Sequence, residues 1–171
     1  MPTAEPATPA HHAFTTALAA RDIDGLVAAL AHDAVLHSAV TGAPFEGREV
    51  LADLYRSLFE SFEELRVVDE FDNDTTHVFF WEGRMDGRYV EGADRLRLDS
   101  DGLVSDITIV GRPLSGLATF LTGIGSRFAR RRRGGLVAVL LRWGAMPLGP
   151  VFSLLDPVTR WLVRGRAATE S

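Results

Sequence analysis

The sequence predicts an α+β fold in which three N-terminal helices pack against a curved antiparallel sheet. In the first third of the chain, apolar residues recur every three or four positions, whereas after Leu65 they recur toward every second position. The chain has 171 residues, of which 46% are hydrophobic and 24% charged. This length and composition predict a globular protein with one domain-sized core.

Three helices are predicted before the change of period. Two short helices cover residues 12–20 and 23–31, and Asp22 is placed to cap the second of them. A short strand, residues 34–40, follows. The third helix, residues 48–62, has one apolar stripe and one charged face, which is typical of a helix packed on a core.

Four further strands are predicted, and turn residues separate them. The strands cover residues 66–71, 77–85, 89–98 and 103–110, and the turns contain Asn73-Asp74, Asp86-Gly87 and Asp101-Gly102. Because strands joined by such short turns run antiparallel, a meandering sheet is expected.

The third of these four strands carries one carboxylate on its apolar face. Alternation places Asp94 on the same face as Val90, Leu96 and Leu98. An ionised carboxylate is costly to bury, so Asp94 is predicted to be paired, hydrogen-bonded or kept neutral by a raised pKa. Two interpretations remain, a functional acid and a structural hydrogen-bonding partner of a neighbouring helix.

Four segments carry a family resemblance. They read AARDIDGL (19–26), HDAVLHS (32–38), FEGR (45–48) and DRLRLDSDGLV (94–104). Their order and spacing resemble the SnoaL-like branch of the nuclear transport factor 2-like superfamily, over residues 12–113. The resemblance implies a cone with a blind pocket, often dimeric, that hosts steroid isomerases, polyketide cyclases, epoxide hydrolases, scytalone dehydratases and noncatalytic binders. Such a fold does not fix the function.

The resemblance also assigns positions within the pocket. Asp94 takes the place of the acid that binds the dienolate oxygen in ketosteroid isomerases, and Tyr55 that of a tyrosine supporting the pocket's hydrogen bonds. Phe14 stands where those isomerases have a tyrosine, and Ser38 where they have the catalytic base. Because a serine hydroxyl needs its own base to take a proton from carbon, the sequence argues against a standard ketosteroid isomerase.

Two other enzyme patterns of the superfamily are also absent. Limonene-type epoxide hydrolases have an acid on the last strand, where this chain has Ile109. Polyketide cyclases of the SnoaL type have an acid–base aspartate just after that strand, where this chain has Gly111 and Arg112. Asp106 has the opposite parity from Ile109, so we expect it to face solvent or a partner.

His37 and Trp81 are further candidates. His37 neighbours Ser38, and alternation sends their side chains to opposite faces unless a bulge intervenes. His37 is therefore either an inward base near Asp94 or a surface residue. Trp81 is either a core or interface aromatic, or a substrate contact together with Tyr55 and Phe14.

The composition excludes several kinds of site. The chain has no cysteine, all 18 of its basic residues are arginines, and no pair among its five histidines has metal-ligand spacing. Thiolate sites, Schiff-base lysines and phosphate-loop lysines are thus excluded. We expect neither a metal nor a cofactor.

The net charge of −5 hides a division of the chain. Residues 1–113 hold nine arginines and 21 acidic residues, a net charge of −12, whereas residues 114–171 hold nine arginines and two acidic residues, a net charge of +7. We predict a disordered leader (1–11), a cone domain (12–113) and a basic, apolar helical extension (114–171). Within the extension, an amphipathic helix is predicted over residues 115–129, broken afterwards by the run RRRRGG (130–135).

Three roles for the extension remain open. Its helices cover the mouth of the cone or extend a dimer interface, with the arginines paired to the acidic core. Alternatively, Arg130, Arg131, Arg132 and Arg133, with Trp143 and Trp161, bind an anionic membrane surface. The third role, nucleic-acid binding, is disfavoured by the acidic core. No segment reaches the ~20 apolar residues that span a bilayer.

These observations lead to one functional expectation and one alternative. The first is a cytoplasmic, homodimeric enzyme that isomerises, cyclises or hydrates a hydrophobic polyketide-like or terpenoid-like intermediate. Asp94 is its acid, and Ser38, Tyr55 and His37 orient the substrate. The alternative is a noncatalytic binder of a lipid or other hydrophobic ligand, held at a membrane surface by the basic extension.

Overall fold

The computed structural model describes residues 12–133, which form five helices and six strands. In chain order these are α1 (Ala13–Ala20), α2 (Ile23–Ala28), β1 (Leu30–His37), β2 (Phe45–Glu46), α3 (Arg48–Ser61), β3 (Phe62–Asn73), β4 (Thr76–Met85), β5 (Arg88–Leu98), β6 (Val104–Arg112), α4 (Leu114–Thr122) and α5 (Ile124–Arg133). The predicted α+β class with three N-terminal helices is confirmed. The predicted leader (1–11) and residues 134–171 lie outside the described residues.

All six strands join one curved sheet in the order β2-β1-β6-β5-β4-β3. Strands β3 to β6 form the predicted antiparallel meander, and β1 adds to β6 in parallel. Asp86 and Gly87, with φ of 50° and 69°, form the tight turn between β4 and β5. Positive φ at both central residues suits the right-handed twist of a hairpin, which explains the Asp-Gly sequence.

The boundary between α2 and β1 lies earlier than predicted. The helix ends at Ala28 instead of residue 31, and the strand covers residues 30–37 instead of 34–40. The backbone carbonyl of Ala29 accepts a hydrogen bond from the amide of Val104 at 2.9 Å, at the start of β6. The apolar residues at this boundary fit either a helix or a strand, and pairing with β6 makes them a strand.

The helical extension also differs from the prediction. The single helix over residues 115–129 is two helices, α4 and α5, that meet at Gly123, and Arg130–Arg133 continue α5 instead of breaking it. A Cβ at Gly123 would lie 2.9 Å from the carbonyl oxygen of Thr119, so a side chain there would force the junction of the two helices to shift. Arginine is a good helix former, and two of these arginines pair with acidic residues of α3.

Three polar contacts and one aromatic contact attach α5 to the cone. Arg131 pairs with Glu60, Nη1 of Arg132 lies 3.2 Å from Oδ2 of Asp53, and Nη1 of Arg127 donates to the hydroxyl of Ser61 at 3.1 Å. The ring of Phe128 packs edge-on against Phe45, with centroids 5.4 Å apart. None of the helices between residues 12 and 133 has the length and apolar character needed to cross a bilayer.

A buried polar cluster joins α1 to the far end of the sheet. Nε2 of His77 lies 3.0 Å from Oε2 of Glu70, and the hydroxyl of Thr15 donates to the same oxygen at 2.6 Å. The imidazole of His12 packs against that of His77, with ring centroids 5.2 Å apart. The side chains of His77 and Glu70 are almost completely buried, so this cluster fixes α1 against β3 and β4.

Candidate functional site

Asp94 points into the interior of the cone, as the alternation of β5 predicts, and only 5% of its surface is exposed. Its Oδ1 accepts a hydrogen bond from the indole Nε1–H of Trp81 at 2.8 Å. Burial raises the pKa of Asp94 to about 7, and the indole hydrogen bond opposes this rise because it stabilises the carboxylate. Asp94 is therefore a carboxyl group that can exchange a proton near neutral pH.

The position of Trp81 depends on a glycine in the neighbouring strand. Trp81 on β4 pairs directly with Gly92 on β5, two residues before Asp94. A Cβ at Gly92 would lie 2.6 Å from Cζ2 of Trp81 and 2.4 Å from the carbonyl oxygen of Val110. The indole lies against the bare backbone of Gly92, and from there its N–H reaches Asp94.

Tyr55 on α3 is the second polar group of the interior. It is almost completely buried, and its hydroxyl has no hydrogen-bond partner among residues 12–133. Burial and the charge of Asp94 both raise the pKa of Tyr55 well above its ordinary value, so the phenol keeps its proton. A buried hydroxyl without a partner costs free energy, and a ligand oxygen would relieve that cost.

Asp94 and Tyr55 line the same small chamber, of about 20 Å³, which is room for about one water molecule. The other lining residues are apolar except for the Trp81 indole: Leu18, Leu58, Phe62, Leu65, Trp81, Ile109 and Phe120. The site therefore places a carboxyl group and a phenol in surroundings that strengthen hydrogen bonds.

A second chamber of about 70 Å³ adjoins the first, and Ser38 lines it. Leu58, Ile109 and Phe120 border both chambers and form the partition between them. Ile124 and Phe128 of α5 also line the second chamber. Both chambers are far smaller than the roughly 300–1,000 Å³ of typical small-molecule sites, so a ligand of that size requires the interior to expand.

The remaining predicted residues lie elsewhere. His37 is on the outer face, where 50% of its side chain is exposed and its Nε2 lies 3.1 Å from Oδ2 of Asp106. Ser38 points to the second chamber, and its hydroxyl accepts a hydrogen bond from the amide of Val40 at 3.2 Å. Phe14 is fully buried and packs edge-on against Tyr55, with centroids 5.6 Å apart. The structure thus joins Asp94, Tyr55 and Trp81 and leaves His37 outside.

A groove of about 550 Å³ lies on the opposite, outer face of the sheet. Val68, Phe80, Ala93 and Val110 supply its apolar lining, and neither Asp94 nor Tyr55 contributes to it. The groove also carries charged side chains, among them Glu91 and Arg112, which pair with each other at the surface. Because Asp94 and Tyr55 are instead buried together in an apolar chamber, we place the candidate site in the cone. Within residues 12–133, no cluster of three or more histidine and acidic side chains suits a metal ion.

A curved sheet wrapped by helices around an interior pair of polar groups defines the class of cone-shaped, nuclear transport factor 2-like proteins. Residues 11–107 match the model of the SnoaL-like domain, which is more than half of the chain. The chain belongs to the SnoaL-like family.

Two solved structures illustrate the likeness. A steroid delta-isomerase from Pseudomonas aeruginosa is 28% identical, with a TM-score of 0.59 over 68% of this chain and 83% of the other. A bacterial protein of unassigned function with a cystatin-like fold, from Silicibacter pomeroyi, is 19% identical, with a TM-score of 0.64 over 67% of this chain and 82% of the other. This second likeness concerns the fold alone. No curated protein matches the chain in sequence.

Sequence reasoning missed the bond between Trp81 and Asp94, although a signal for it was present. A two-residue turn at Asp86-Gly87 fixes the register of β4 and β5 and places Trp81 opposite Gly92. Trp81 then lies diagonal to Asp94 on the same face, within reach of a long aromatic side chain. The free hydroxyl of Tyr55 had no comparable signal, because it depends on how α3 packs against the sheet.

Proposed function

We propose that this protein acts on a hydrophobic small molecule that carries an oxygen group, with Asp94 as the acid in an isomerisation, cyclisation or hydration. The observation that carries the proposal is the pairing of a buried Asp94, with a pKa of about 7, and the unpartnered hydroxyl of Tyr55 in one apolar chamber. The likeness to a steroid delta-isomerase supports an oxygen-bearing, hydrophobic ligand.

In the proposed reaction, the protonated Asp94 donates its proton to the carbonyl or epoxide oxygen of the ligand. The Tyr55 hydroxyl donates a second hydrogen bond to the same oxygen. The carboxylate that forms keeps its hydrogen bond from Trp81 and takes a proton back from the ligand. In an isomerisation or cyclisation this proton comes from the C–H bond that breaks beside the activated group, and in a hydration from the water molecule that adds to the ligand carbon. Such donors aimed at a developing charge stabilise the transition state more than the bound substrate.

A noncatalytic binder is the second candidate, and one observation favours it. No histidine and no second carboxylate lines the Asp94 chamber as the structure describes it, and His37 lies on the outer face. A protein with only Asp94 and Tyr55 in its interior can hold a ligand oxygen without transforming the ligand. Both candidates require the same hydrogen bonds, so binding and turnover must be measured separately.

The binding test uses pairs of probes that differ only in oxygen, such as cyclohexanone with cyclohexane and 2-decalone with decalin. Binding is followed on the indole N–H resonance of Trp81, which reports directly on Asp94. We expect the ketones to bind more tightly than the hydrocarbons, and Tyr55→Phe to remove most of the difference. Equal affinity for both members of every pair would refute the proposed site.

Tyr55→Phe also distinguishes a ligand role from a structural one. If the hydroxyl serves only the fold, its removal destabilises the protein. In the structure it is buried without a partner, so we expect the variant to unfold at the same or a higher denaturant concentration while it binds ketones more weakly. Lower stability together with unchanged ketone binding would contradict the ligand role.

The catalytic test compares Asp94→Asn with Asp74→Asn, an exposed hairpin residue, as the matched control. In Asp94→Asn the side-chain amide oxygen can still accept the indole hydrogen bond, but the group has no acidic proton. On unsaturated ketones and epoxides of the ring size that the binding test favours, we expect turnover to fall by roughly two to three orders of magnitude in the first variant only. Binding without turnover in the unmodified protein would instead support the noncatalytic binder.

A further inference from the structure

Helix α5 contacts the cone through two chemically different faces, one apolar and one basic. Its apolar face, with Ile124 and Phe128, lines the second chamber, and Phe128 packs on Phe45. Its basic face places Arg131 and Arg132 on two carboxylates of α3. The helix therefore forms part of the wall of the interior, held there by apolar burial and by ion pairs.

The ion pairs of α5 lie at the surface. The side chains of Arg131 and Arg132 are 35% and 37% exposed, and their partners Glu60 and Asp53 are 50% and 29% exposed. Ion pairs this accessible to water contribute little to stability and can be replaced by another anion. The arginines are thus bound to the cone but available for exchange.

An anionic bilayer offers both kinds of partner that α5 has on the cone. Lipid phosphates can replace the two α3 carboxylates, and the interface between headgroups and acyl chains can take the apolar face. A nucleic-acid duplex offers phosphates but no apolar layer for Ile124 and Phe128. The two faces of α5 together favour a lipid surface over a duplex.

The charge of the chain adds a separating force. Residues 1–113 carry a net charge of −12 and residues 114–171 a net charge of +7. A negative surface attracts the second part and repels the first, within the screening length of the solution. The field of an anionic membrane therefore acts to separate α5 from the cone.

We propose that α5 is a displaceable closure, which leaves the cone for an anionic lipid surface and thereby opens the interior. Departure of Ile124 and Phe128 removes the wall that they contribute to the second chamber, and this gives a hydrophobic ligand access from the bilayer. This exchange goes beyond the proposed function, because it takes place without a substrate and whether or not Asp94 catalyses a reaction.

The decisive experiment ties α5 to the cone. Because the chain has no cysteine, Phe45→Cys with Phe128→Cys in the full-length protein creates one pair of thiols. One sample is crosslinked with a short bismaleimide, and the other is capped with a monomaleimide. Both samples keep every arginine and differ only in whether α5 can leave.

Binding is measured by flotation with vesicles of phosphatidylcholine, alone or with phosphatidylglycerol. We expect the capped protein to prefer the anionic vesicles by at least about tenfold and the crosslinked protein to lose that preference. Equal binding of the crosslinked and capped proteins to anionic vesicles would overturn the proposal, since the arginines would then act without displacement. So would equal binding of the capped protein to both kinds of vesicle.

A second set of variants avoids changes in the core. Asp53→Asn with Glu60→Gln weakens the ion pairs to α5, and Glu49→Gln with Glu64→Gln makes the same charge change at exposed sites on α3 and β3. Destabilising the closed state favours the open one, so we expect the first pair to bind anionic vesicles about fivefold more tightly than the second pair. Equal affinity of the two pairs would overturn the closure.

Duplex DNA at the same ionic strength completes the comparison. We expect it to bind more weakly than the anionic vesicles and to be insensitive to the crosslink. If DNA binds more tightly than the vesicles, the basic face of α5 is a nucleic-acid site and the lipid proposal is wrong.

Discussion

At the scale of single residues, the main property of the protein is a carboxyl group whose proton affinity is set by burial. Asp94 has an unperturbed pKa of 3.8 and a pKa of about 7 in the folded protein. Below about pH 4 the carboxyl is protonated in both the folded and the unfolded state. Above about pH 4 it ionises first in the unfolded chain, which lowers the free energy of the unfolded state. Folding stability is therefore lost between about pH 4 and pH 7 and is constant above that range.

We predict that Asp94→Asn removes this pH dependence. Its stability relative to the unmodified protein should rise with pH by up to about 4 kcal/mol between pH 4 and 7, as measured by denaturant unfolding. In the unmodified protein, the indole N–H resonance of Trp81 should titrate with a midpoint near pH 7. Asp74→Asn is the control, and parallel stability curves for Asp94→Asn and the unmodified protein would contradict the raised pKa.

The sequence predicts those features of the site that are set by local patterns and misses those that are set by tertiary packing. The burial of Asp94 depends on strand alternation, and its bond with Trp81 on a turn of two residues, so both are local properties of β4 and β5. The side-chain directions of His37 and Ser38 are also consistent with alternation. The free Tyr55 hydroxyl depends on the packing of α3, which no local pattern encodes.

At the scale of secondary-structure elements, the junction of α1 with β3 and β4 depends on a buried polar cluster. Glu70 accepts from Thr15 and lies beside His77, and both carboxylate and imidazole are shielded from water. Removing the carboxylate leaves the imidazole and the hydroxyl without this partner. Such losses are larger than the gain from forming the hydrogen bonds.

We predict that Glu70→Ala lowers the free energy of unfolding by about 2–4 kcal/mol. Glu64→Ala, an exposed residue of the same strand, should change it by less than about 0.5 kcal/mol. Both values are measured by urea denaturation. Because the cluster fixes α1, the amides of residues 13–20 should also exchange faster in Glu70→Ala, and equal stability of the two variants would show that the cluster is dispensable.

The elements that the sequence misplaces are those whose partners are distant in the chain. Arg130–Arg133 were expected to break a helix, yet they extend α5, where Arg131 and Arg132 meet carboxylates that lie 71 and 79 residues earlier. The end of α2 was misplaced for a related reason, since Ala29 accepts a hydrogen bond from Val104 of β6, which is distant in the chain. The third helix and the positions of the hairpin turns, which depend on local periodicity and turn residues, agree closely with the prediction. Strand β3 is longer than predicted, since it covers residues 62–73 instead of 66–71.

At the scale of the whole molecule, the outer face of the sheet exposes an apolar stripe. Phe80 and Val110 are 46% and 58% exposed, and Ala93 lies between them in the register of β4, β5 and β6. Exposed apolar groups that adjoin one another mark an interaction site in a folded protein. We propose that two copies of the chain pair through this face.

We predict that Phe80→Asp shifts the protein to a monomer, because it places a charge in the centre of that apolar stripe. Molar mass from light scattering during size-exclusion chromatography measures the effect at several concentrations. Ala20→Asp, at the exposed end of α1, serves as the control and should leave the mass unchanged. A dimer that persists in Phe80→Asp would place the interface elsewhere, and a monomeric unmodified protein would refute the dimer itself.

The residues that separate the two chambers come from inside and from outside the region that the family model matches. Leu58 comes from the region matched by the family model, residues 11–107, whereas Ile109 lies just past its end and Phe120 belongs to α4, well beyond it. The residues that the family model matches include Asp94 and Tyr55, while residues beyond the match help to line the two chambers. Because Phe120 borders both chambers, we expect its substitution to change the shape of both while Asp94 and Tyr55 themselves are unaltered.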